Sequence, residues 1–375
     1  MLRVLLPVMM ALLSLGPQDL VQNGDFSQGL ASWSDAASDG AREVTITKVD
    51  GKNVLQLKRK APAAPATAVQ WNLKLKPETL YRLSVTGKGN NQAAISLRPQ
   101  ASRDKLFEQV LKAWAVSSGP LPPSTEFVTE TLLFDSGLKP DSAYVQLSLD
   151  GKDPGVYYVS KVSFEELGPA RPDKKEIVLL HLGDSLTSTS YLPFGERVGA
   201  QLAGILGKKL PGGRVRQINV AADGESVREF LETKRYQEVV RDNYKKVDVA
   251  VIHYGGNDVN QYDVKEFAKL LGALCDNLER DYPGVRIVLR TGTVVPGNPG
   301  HVNDRYLPYW QVARDLAERR KYPLADVCAA FQAEASPKLL RGEGDMHPSA
   351  RGVTLIAETL YRVLEPLLKG SAAND

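Results

Sequence analysis

The sequence predicts two domains, an all-β domain followed by an α/β domain built on a parallel sheet. Three observations lead to this fold class. The chain has 375 residues, more than one hydrophobic core usually organises. Residues 21–167 contain short segments in which apolar and polar residues alternate, separated by Gly, Pro, Asn and Asp, which is typical of antiparallel sheets. Residues 176–370 alternate apolar runs with stretches of helical periodicity, which is typical of βαβ units.

Residues 1–16 have the composition of a signal peptide. A cationic start, Met1-Leu2-Arg3, precedes an apolar run over residues 4–15 that is too short to span a bilayer comfortably. Ser14-Leu15-Gly16 offers the small residues that a signal peptidase needs, whereas a buried N-terminal helix is the alternative. The sequence has no cysteine here for a lipid anchor and no later run suited to a membrane helix. We therefore expect a secreted protein, extracellular or periplasmic, that does not insert stably into a membrane.

Residues 21–167 are predicted to form a sandwich or jelly roll. The alternation is clearest over residues 68–75 and 81–85, where every second residue is apolar. Several such strands with turn signals between them are what a sandwich requires. The run over residues 103–114 fits a helix or a long loop equally well.

A short stiff linker is predicted between the two domains. Residues 168–175, GPARPDKK, combine prolines with charge and have nothing to bury. Beyond the linker, apolar runs predict strands covered on both faces, at residues 177–182, 247–253 and 286–290. Helical periodicity predicts helices over residues 194–207, 227–244, 264–280 and 354–368. Ligands of such folds gather at the carboxyl ends of the strands.

The composition excludes some classes of partner and of site. A formal net charge of +3 is too small for a nucleic-acid-binding surface or a polybasic membrane surface. The two cysteines, Cys275 and Cys328, fit neither a metal-site spacing nor a dense disulfide scaffold. Either one disulfide or two separately buried thiols would fit the sequence.

A serine stands at the end of the first predicted strand of the α/β domain. Gly183-Asp184-Ser185-Leu186 follows the apolar run directly. This position puts the Ser185 hydroxyl on the turn at the carboxyl end of the strand, where a nucleophile is useful. So short a motif also arises by chance, and the rest of the chain has to support it.

A serine nucleophile needs a base, and the chain has four histidines from which to choose. His181 and His253 lie inside apolar runs, where a hydrogen-bonded core histidine is the usual case. His301 lies in a loop rich in Pro and Gly, which favours a solvated or substrate-contacting residue. His347 is the best candidate, because Asp345 two positions earlier can bond its Nδ1 and fix the tautomer. A solvent-facing loop before a helix is the alternative for this pair.

Two further segments can supply donors to the oxyanion that acyl transfer creates. Gly224 follows the predicted second strand, and its backbone N–H can approach a ligand closely because no Cβ intervenes. Asn257, within Gly255-Gly256-Asn257-Asp258, follows the next strand and offers a neutral amide donor. Both residues are also ordinary turn formers.

Asp345 and His347 are also potential metal ligands. No third His or Cys stands near them in the sequence, and the Gly-Asp-Ser motif would then be left without a role. A metal site is therefore not predicted, and serine chemistry needs no cofactor.

Four segments of the α/β domain resemble the conserved blocks of the SGNH (GDSL-like) hydrolase superfamily. The blocks are Gly-Asp-Ser-Leu at 183–186, the glycine at 224, Gly-x-Asn-Asp at 255–258 and Asp-x-His at 345–347. All four are intact, and the resemblance covers residues 176–370.

The resemblance implies a flavodoxin-like three-layer α/β/α fold with a triad of Ser185, His347 and Asp345. It also implies an oxyanion hole made by the Ser185 and Gly224 amides with the Asn257 side chain. Ser185 would attack an ester carbonyl, and His347 would carry the proton to the leaving alcohol.

The two ends of the β domain carry recognisable segments, NGDFSQGLASW at residues 23–33 and VYYVSKVSF at residues 156–164. The first resembles the opening, and the second the closing strand, of carbohydrate-binding-module 4/9-like jelly rolls. In that strand the family commonly has acidic residues where this chain has Ser160 and Lys161, which argues against a structural calcium site. The candidates for a sugar-stacking platform are Trp71, Trp114 and Tyr144, with burial in the core as the alternative for each. A jelly roll that only packs against the second domain, or binds a partner protein, is the alternative for the whole module.

Together with secretion, the resemblances imply a serine esterase that removes acyl groups, acetyl above all, from a polysaccharide. Xylan, pectin-type glycans, sialylated glycans and peptidoglycan fit equally, because loops shape the glycan groove. A lipid or aryl ester hydrolase is the enzymatic alternative, and a non-catalytic glycan binder on the same fold is the alternative outside enzymes. The polar residues 187–191, TSTSY, favour a hydroxylated substrate over a lipid.

Overall fold

A computed structural model describes most of the two predicted domains. The described residues are 18–35, 39–60, 65–99, 119–140, 142–149, 154–169, 176–209 and 215–372. The predicted signal peptide, the run at 103–114 with Trp114, and residues 170–175 of the predicted linker lie outside them. The first two residues of that linker, Gly168 and Pro169, still belong to a strand.

The N-terminal part is all-β in its described residues. The strands are β1 Ser34–Asp35, β2 Arg42–Val49, β3 Lys52–Arg59, β4 Ala66–Leu73, β5 Thr79–Gly89, β6 Ala93–Pro99, β7 Gly119–Leu121, β8 Ser124–Asp135, β9 Ala143–Leu149 and β10 Gly155–Pro169. They form two antiparallel sheets, with the orders β1-β4-β9-β6-β7 and β2-β3-β10-β5-β8. The all-β jelly-roll prediction is confirmed.

The core of this part lies between the two sheets and follows the period of two. On β9 the side chains of Ala143, Val145 and Leu147 are fully buried, whereas Tyr144 and Gln146 between them are partly exposed. Alternation of this kind gives each strand one apolar face, and the two apolar faces pack on each other.

The C-terminal part is built on a parallel sheet. Its strands are β11 Ile177–Gly183, β12 Val215–Asn219, β13 Val249–His253, β14 Arg286–Arg290 and β15 Leu324–Ala325, in the order β12-β11-β13-β14-β15. Its helices are α1 Ser185–Ser188, α2 Val198–Lys209, α3 Val227–Glu232, α4 Val264–Asp281, α5 Leu307–Arg320, α6 Val327–Glu334 and α7 Ala350–Ala372. This strand order is that of flavodoxin-like folds, so the predicted fold class is confirmed.

Burial explains why the strands of this sheet read as apolar runs. All five residues of β13 are buried, because helices cover both faces of the sheet. The helix α4 shows the complementary pattern. Asp263 caps it by accepting a hydrogen bond from the Glu266 N–H, and its buried side chains recur at helical spacing, as at Phe267 and Leu271.

The predicted helix over residues 227–244 is interrupted in the structure. The helix α3 ends at Glu232, Lys234 has a left-handed φ of 63°, and a π-helix follows over Tyr236–Arg241. The interruption accompanies the burial of Arg235, which forms an ion pair with the buried Glu225. The predicted helix over residues 194–207 likewise divides, into a 3-10 turn at Phe194–Glu196 and α2.

Both cysteines are free and buried, so the two-thiol alternative holds. Burial raises the pKa of the Cys275 thiol to about 12, which keeps it protonated. Within the described part of the chain, the helices are all too short or too polar to cross a membrane.

Candidate active site

Three loops meet at one edge of the parallel sheet. Ser185 follows β11, Gly224 lies in the loop after β12, and Asn257 lies in the loop after β13. Because β11 lies between β12 and β13 and all three run parallel, their carboxyl ends share an edge. The sequence predicts these residues on separate loops, and the strand order makes the loops neighbours.

A continuous chain of hydrogen bonds joins Ser185, His347 and Asp345. The Ser185 Oγ lies 2.9 Å from His347 Nε2, and His347 Nδ1 lies 2.7 Å from Asp345 Oδ1. The same Oδ1 accepts the backbone N–H of His347 at 2.9 Å. With its proton on Nδ1, a neutral His347 presents the Nε2 lone pair to the serine hydroxyl, which is the arrangement that a general base requires.

The Asp345 carboxyl is suited to hold a positive imidazole. Partial burial raises its pKa, but the hydrogen bonds from the backbone and ring of His347 outweigh that effect and leave the pKa below its usual value. Asp345 is therefore ionised at neutral pH.

Asp184 and Gly183 shape the turn that carries Ser185. The Asp184 side chain accepts a hydrogen bond of 2.9 Å from the Leu186 N–H and so caps α1. Gly183 has a φ of 153°, and a Cβ there would lie 2.3 Å from the carbonyl oxygen of His253. Burial raises the pKa of Asp184 to about 7. These two motif residues are thus structural supports of the serine.

Arg290 supports the same turn from inside the domain. Its buried guanidinium donates to the Leu186 carbonyl and to Thr187 Oγ1, both at 3.0 Å. Burial lowers the pKa of Arg290 to about 10, so it keeps its charge at neutral pH. Arg290 was not predicted from the sequence, because an arginine at the end of an apolar strand carries no local signal of its inward orientation.

The other three histidines do not belong to this chain of hydrogen bonds. His181 is buried with its Nε2 at 2.9 Å from Gln217 Oε1, and burial lowers its pKa to about 4. His253 is buried with its Nδ1 at 3.2 Å from the Arg290 carbonyl, and burial lowers its pKa well below the usual value. His301 lies on an exposed loop beside Asp304.

The two loops expected to supply oxyanion donors are bonded to each other. Gly224 has a left-handed φ of 76°, which favours glycine whatever the space around it. The Asn257 side-chain amide donates to the carbonyl of Glu225 at 3.1 Å. The Glu225 carboxylate in turn pairs with Arg235 and accepts the Tyr254 hydroxyl at 3.2 Å. This buried pair fixes the backbone that follows Gly224.

Asp258 forms a second tie between these loops. Its buried carboxylate accepts the N–H groups of Val227 at 2.9 Å and Gly255 at 2.8 Å, together with the Tyr262 hydroxyl. Burial raises its pKa despite these bonds. Asp258 ends the Gly-x-Asn-Asp block, so its place in the motif was a usable signal for this role.

Tyr191 contacts the candidate base and was not anticipated. Its ring meets the His347 ring edge-on, with centroids 5.2 Å apart and an interplanar angle of 82°. Its hydroxyl donates to the Pro348 carbonyl at 3.1 Å, and the Arg341 guanidinium lies 4.6 Å from its ring centroid. One tyrosine in a polar loop gives no sequence signal of such a contact.

Two of the three predicted platform aromatics are neighbours on the surface. Trp71 on β4 and Tyr144 on β9 have ring centroids 4.5 Å apart, and Trp71 is 47% exposed. The Trp71 indole N–H donates to Ser34 Oγ at 3.1 Å. Trp114 lies outside the described residues. Among the residues that the structure describes, no group of three or more His, Cys, Asp or Glu side chains is placed to hold a metal ion.

Comparisons with known proteins agree with the fold. Residues 181–355 match the model of the GDSL-like lipase/acylhydrolase family, and residues 18–120 match that of a carbohydrate binding domain. Protein YXIM from Bacillus subtilis is similar over 92% of either chain, with 16% identity and a TM-score of 0.50.

Two other solved structures are similar to part of the chain. An acetylxylan esterase from Geobacillus stearothermophilus is 24% identical over 51% of this chain and 96% of its own, with a TM-score of 0.44. The alpha/beta hydrolase LAE5 from the metagenome of Lake Arreo is 24% identical over 51% of this chain and 96% of its own, with a TM-score of 0.45. No curated protein matches the chain. From the family matches, the C-terminal domain belongs to the GDSL-like lipase/acylhydrolase family, and it follows a domain of the carbohydrate binding family.

Proposed function

We propose that the protein is a secreted serine esterase that removes O-acyl groups, acetyl in the first place, from a polysaccharide. The hydrogen-bond chain from Ser185 through His347 to Asp345 carries the proposal. Secretion rests on the signal-peptide composition of residues 1–16.

In the acylation step, Ser185 Oγ attacks the ester carbonyl while its proton passes to His347 Nε2. The negative charge that develops on the carbonyl oxygen is taken up by the amides of Ser185 and Gly224 and by the Asn257 side chain. Asp345 stabilises the imidazolium that has formed. His347 then protonates the sugar oxygen, the C–O bond to the acyl group breaks, and the deacylated glycan leaves.

The acyl-enzyme is hydrolysed by the same groups in reverse order. Water loses a proton to His347 Nε2 and attacks the Ser185 ester, and the oxyanion forms in the same place. Collapse of the tetrahedral intermediate returns the proton to Ser185 Oγ and releases the carboxylic acid. Atoms and charges balance with water as the only co-reactant.

A carbohydrate substrate is supported by the N-terminal domain and by the edge of the site. An exposed indole packed beside a tyrosine offers apolar ring faces on which the apolar face of a sugar can stack, and Trp71 and Tyr144 form such a pair. Beside the nucleophile, Ser190 and the exposed Asp223 are polar, and Asp223 accepts hydrogen bonds from Ser190 and from the buried Ser188. An exposed carboxylate at this edge suits a hydroxylated substrate better than an acyl chain of a lipid.

Acetate release from a panel of O-acetylated polysaccharides tests the catalytic part of the proposal. We expect the mature protein to release acetate from at least one glycan and Ser185→Ala to release none above background. A wild-type protein that hydrolyses aryl acetates but none of the glycans would make it an aryl esterase. Equal rates for wild type and Ser185→Ala would refute serine catalysis.

Glycan binding by the N-terminal domain has a separate test in the full chain. We expect Trp71→Ala to weaken binding to the deacylated polysaccharide by about 5- to 150-fold, if stacking on this platform contributes the roughly 1–3 kcal/mol that a base stacked on an aromatic side chain does. Leu133→Ala removes another exposed apolar side chain, 69% exposed on β8, and is the matched control. If the two variants bind the polysaccharide with equal affinity, Trp71 does not belong to the glycan-binding surface.

A further inference from the structure

One segment of the α/β domain reaches from the active site into the N-terminal domain. We call residues 189–197, which follow α1, the Tyr191 segment. At its start, Thr189 donates its backbone N–H to the Ser185 carbonyl at 3.0 Å and accepts the Val198 N–H on its hydroxyl at 3.2 Å. In its middle, Tyr191 lies against His347. The position of this segment therefore decides how the candidate base is packed.

Arg197 holds the peptide groups on both sides of Tyr191. Its guanidinium donates to the Ser190 carbonyl at 2.9 Å and to the Leu192 carbonyl at 3.0 Å. The side chain is buried, and its guanidinium lies 4.6 Å from the centroid of the Phe194 ring. Tyr191 is thus positioned through Arg197, and Arg197 in turn packs on Phe194.

Phe194 belongs to the hydrophobic core of the N-terminal domain. It is 3% exposed and lies in the same apolar cluster as the interior side chains of the two antiparallel sheets. Its backbone N–H donates to Glu130 Oε2 on β8 at 3.0 Å, and the Gly195 N–H also bonds Glu130. A loop of one domain therefore completes the core of the other.

Gly119 on β7 makes room for this contact. A Cβ at Gly119 would lie 2.3 Å from the Arg197 Nη2 and 2.7 Å from the Phe194 ring. Its φ is not in the left-handed region, so space and not backbone conformation requires glycine here. The N-terminal domain is thus shaped to receive Phe194 and Arg197.

From these contacts we infer that the N-terminal domain positions the active site: it anchors Phe194, and through Arg197 it holds Tyr191 against His347. The domain is then a structural part of the catalytic unit in addition to any role in glycan binding. The kinetic part of this inference rests on the proposed esterase function, whereas its structural part does not. Phe194 and Arg197 are positioning residues, since they act through Tyr191 and touch no reacting atom.

Phe194→Ala in the full chain removes the anchor. Its matched control is Phe26→Ala, which removes another fully buried phenylalanine of the same core, one whose ring packs on Trp33. We expect Phe194→Ala to lower kcat about 10- to 100-fold with a smaller change in KM, because a displaced base costs the transition state more than the bound substrate. We expect Phe26→Ala to keep the wild-type kcat below its unfolding temperature.

Hydrogen exchange gives a readout that does not depend on activity. In Phe194→Ala the backbone amides of Thr189 and Leu192 are expected to exchange faster than in Phe26→Ala, while amides of β11 and β13 exchange equally in both. Gly119→Ala, which displaces the anchor without removing it, is expected to change kcat and exchange in the same direction. If Phe194→Ala does not fold, Gly119→Ala takes its place in both the kinetic and the exchange comparison. Its control is Gly155→Ala, where a Cβ would lie 2.6 Å from the Asn91 Cβ.

The outcomes separate this inference from the proposed function. A wild-type protein without esterase activity would refute the proposed function, and the exchange comparison would still decide the inference. Equal exchange at Thr189 and Leu192 in the Phe194 and Phe26 variants would overturn the inference, since the α/β domain alone would then hold the segment. Equal kcat values for these two variants, with an active wild type, would overturn its kinetic part.

Discussion

Replacing Asp345 by asparagine and by alanine is expected to separate two contributions of this carboxylate. One oxygen, Oδ1, accepts both the backbone N–H and the ring Nδ1–H of His347. An asparagine that places its own oxygen there keeps both bonds, and the backbone N–H favours that orientation over its reverse. Asp345→Asn therefore removes the charge and preserves the tautomer, whereas Asp345→Ala removes the charge and both bonds.

The loss caused by the charge alone follows from Coulomb's law. Two unit charges about 4 Å apart interact by about 4 kcal/mol at an effective dielectric constant near 20. The side chains of His347 and Asp345 are 37% and 36% exposed, so water screens the pair. We therefore expect the imidazolium to lose about 3 kcal/mol or less of stabilisation, which lowers kcat about 10²-fold. Asp345→Ala also frees the ring orientation and the tautomer, and its kcat is expected to fall about 10³- to 10⁴-fold.

The assay is the initial rate of acetate release from an acetylated oligosaccharide at saturating concentration, with Ser185→Ala as the background. A sugar alcohol needs the proton from His347 in order to leave, whereas nitrophenolate does not. The loss should therefore be smaller with nitrophenyl acetate. An Asp345→Asn enzyme as slow as Asp345→Ala, or slower, would refute the reasoning, since it would mean that the amide nitrogen faces Nδ1 and imposes the wrong tautomer.

Three further substitutions test other parts of the site. Asn257→Ala is expected to lower kcat about 10²-fold with little change in KM. The reason is that the Asn257 amide would act on the oxyanion, which exists only in the transition state. A rise in KM alone would make Asn257 a substrate-binding residue. Arg235→Met is expected to lower the free energy of unfolding, measured in urea, by about 3–5 kcal/mol, because the buried Glu225 carboxylate then lacks the positive charge of Arg235. The control is Arg228→Met, which removes a partly exposed ion pair with Glu266 and should lower the free energy of unfolding by at most about 1 kcal/mol. Burial raises the pKa of Asp184 to about 7, so its contribution to stability is full below the pKa of the unfolded chain and is lost as the pH rises through about 7. Relative to wild type, Asp184→Asn should therefore become more stable as the pH rises from the usual aspartate pKa, about 4, to about 7. Parallel curves of unfolding free energy against pH for the two proteins would contradict this expectation.

The sequence predicts most of the parallel sheet because burial on both faces leaves a local signature. The strands β11 and β13 contain little but apolar residues, β14 has three apolar residues between its terminal arginines, and each strand could be located without knowing its neighbours. Ser185 and His347 are 162 positions apart, yet they were paired from sequence because only four histidines were available and one had an aspartate at the right spacing. A chemically suited pair can therefore be predicted from sequence, even when its members are far apart along the chain, if the chain has few residues of the required type.

Contacts that depend on tertiary packing could not be predicted in this way. The periodicity over residues 227–244 is helical, but Lys234 adopts a left-handed backbone where Arg235 turns in to Glu225. No local pattern in the sequence indicates an ion pair between residues on two different loops. Phe194 was likewise assigned to an ordinary helix start, since its partners lie in the other domain.

Different sets of contacts fix the different parts of the candidate site. The loops that carry Ser185 and Asn257 are cross-linked inside the α/β domain by buried charged groups, Arg290 beneath the first and Asp258 between the second and α3. The Tyr191 segment has its anchor in the N-terminal core instead. Loss of the Phe194 anchor should therefore leave Ser185, Gly224 and Asn257 in place while it loosens the packing of His347, because separate sets of contacts hold these two parts of the candidate site. His347 is then the residue of the candidate site through which the two domains would be coupled.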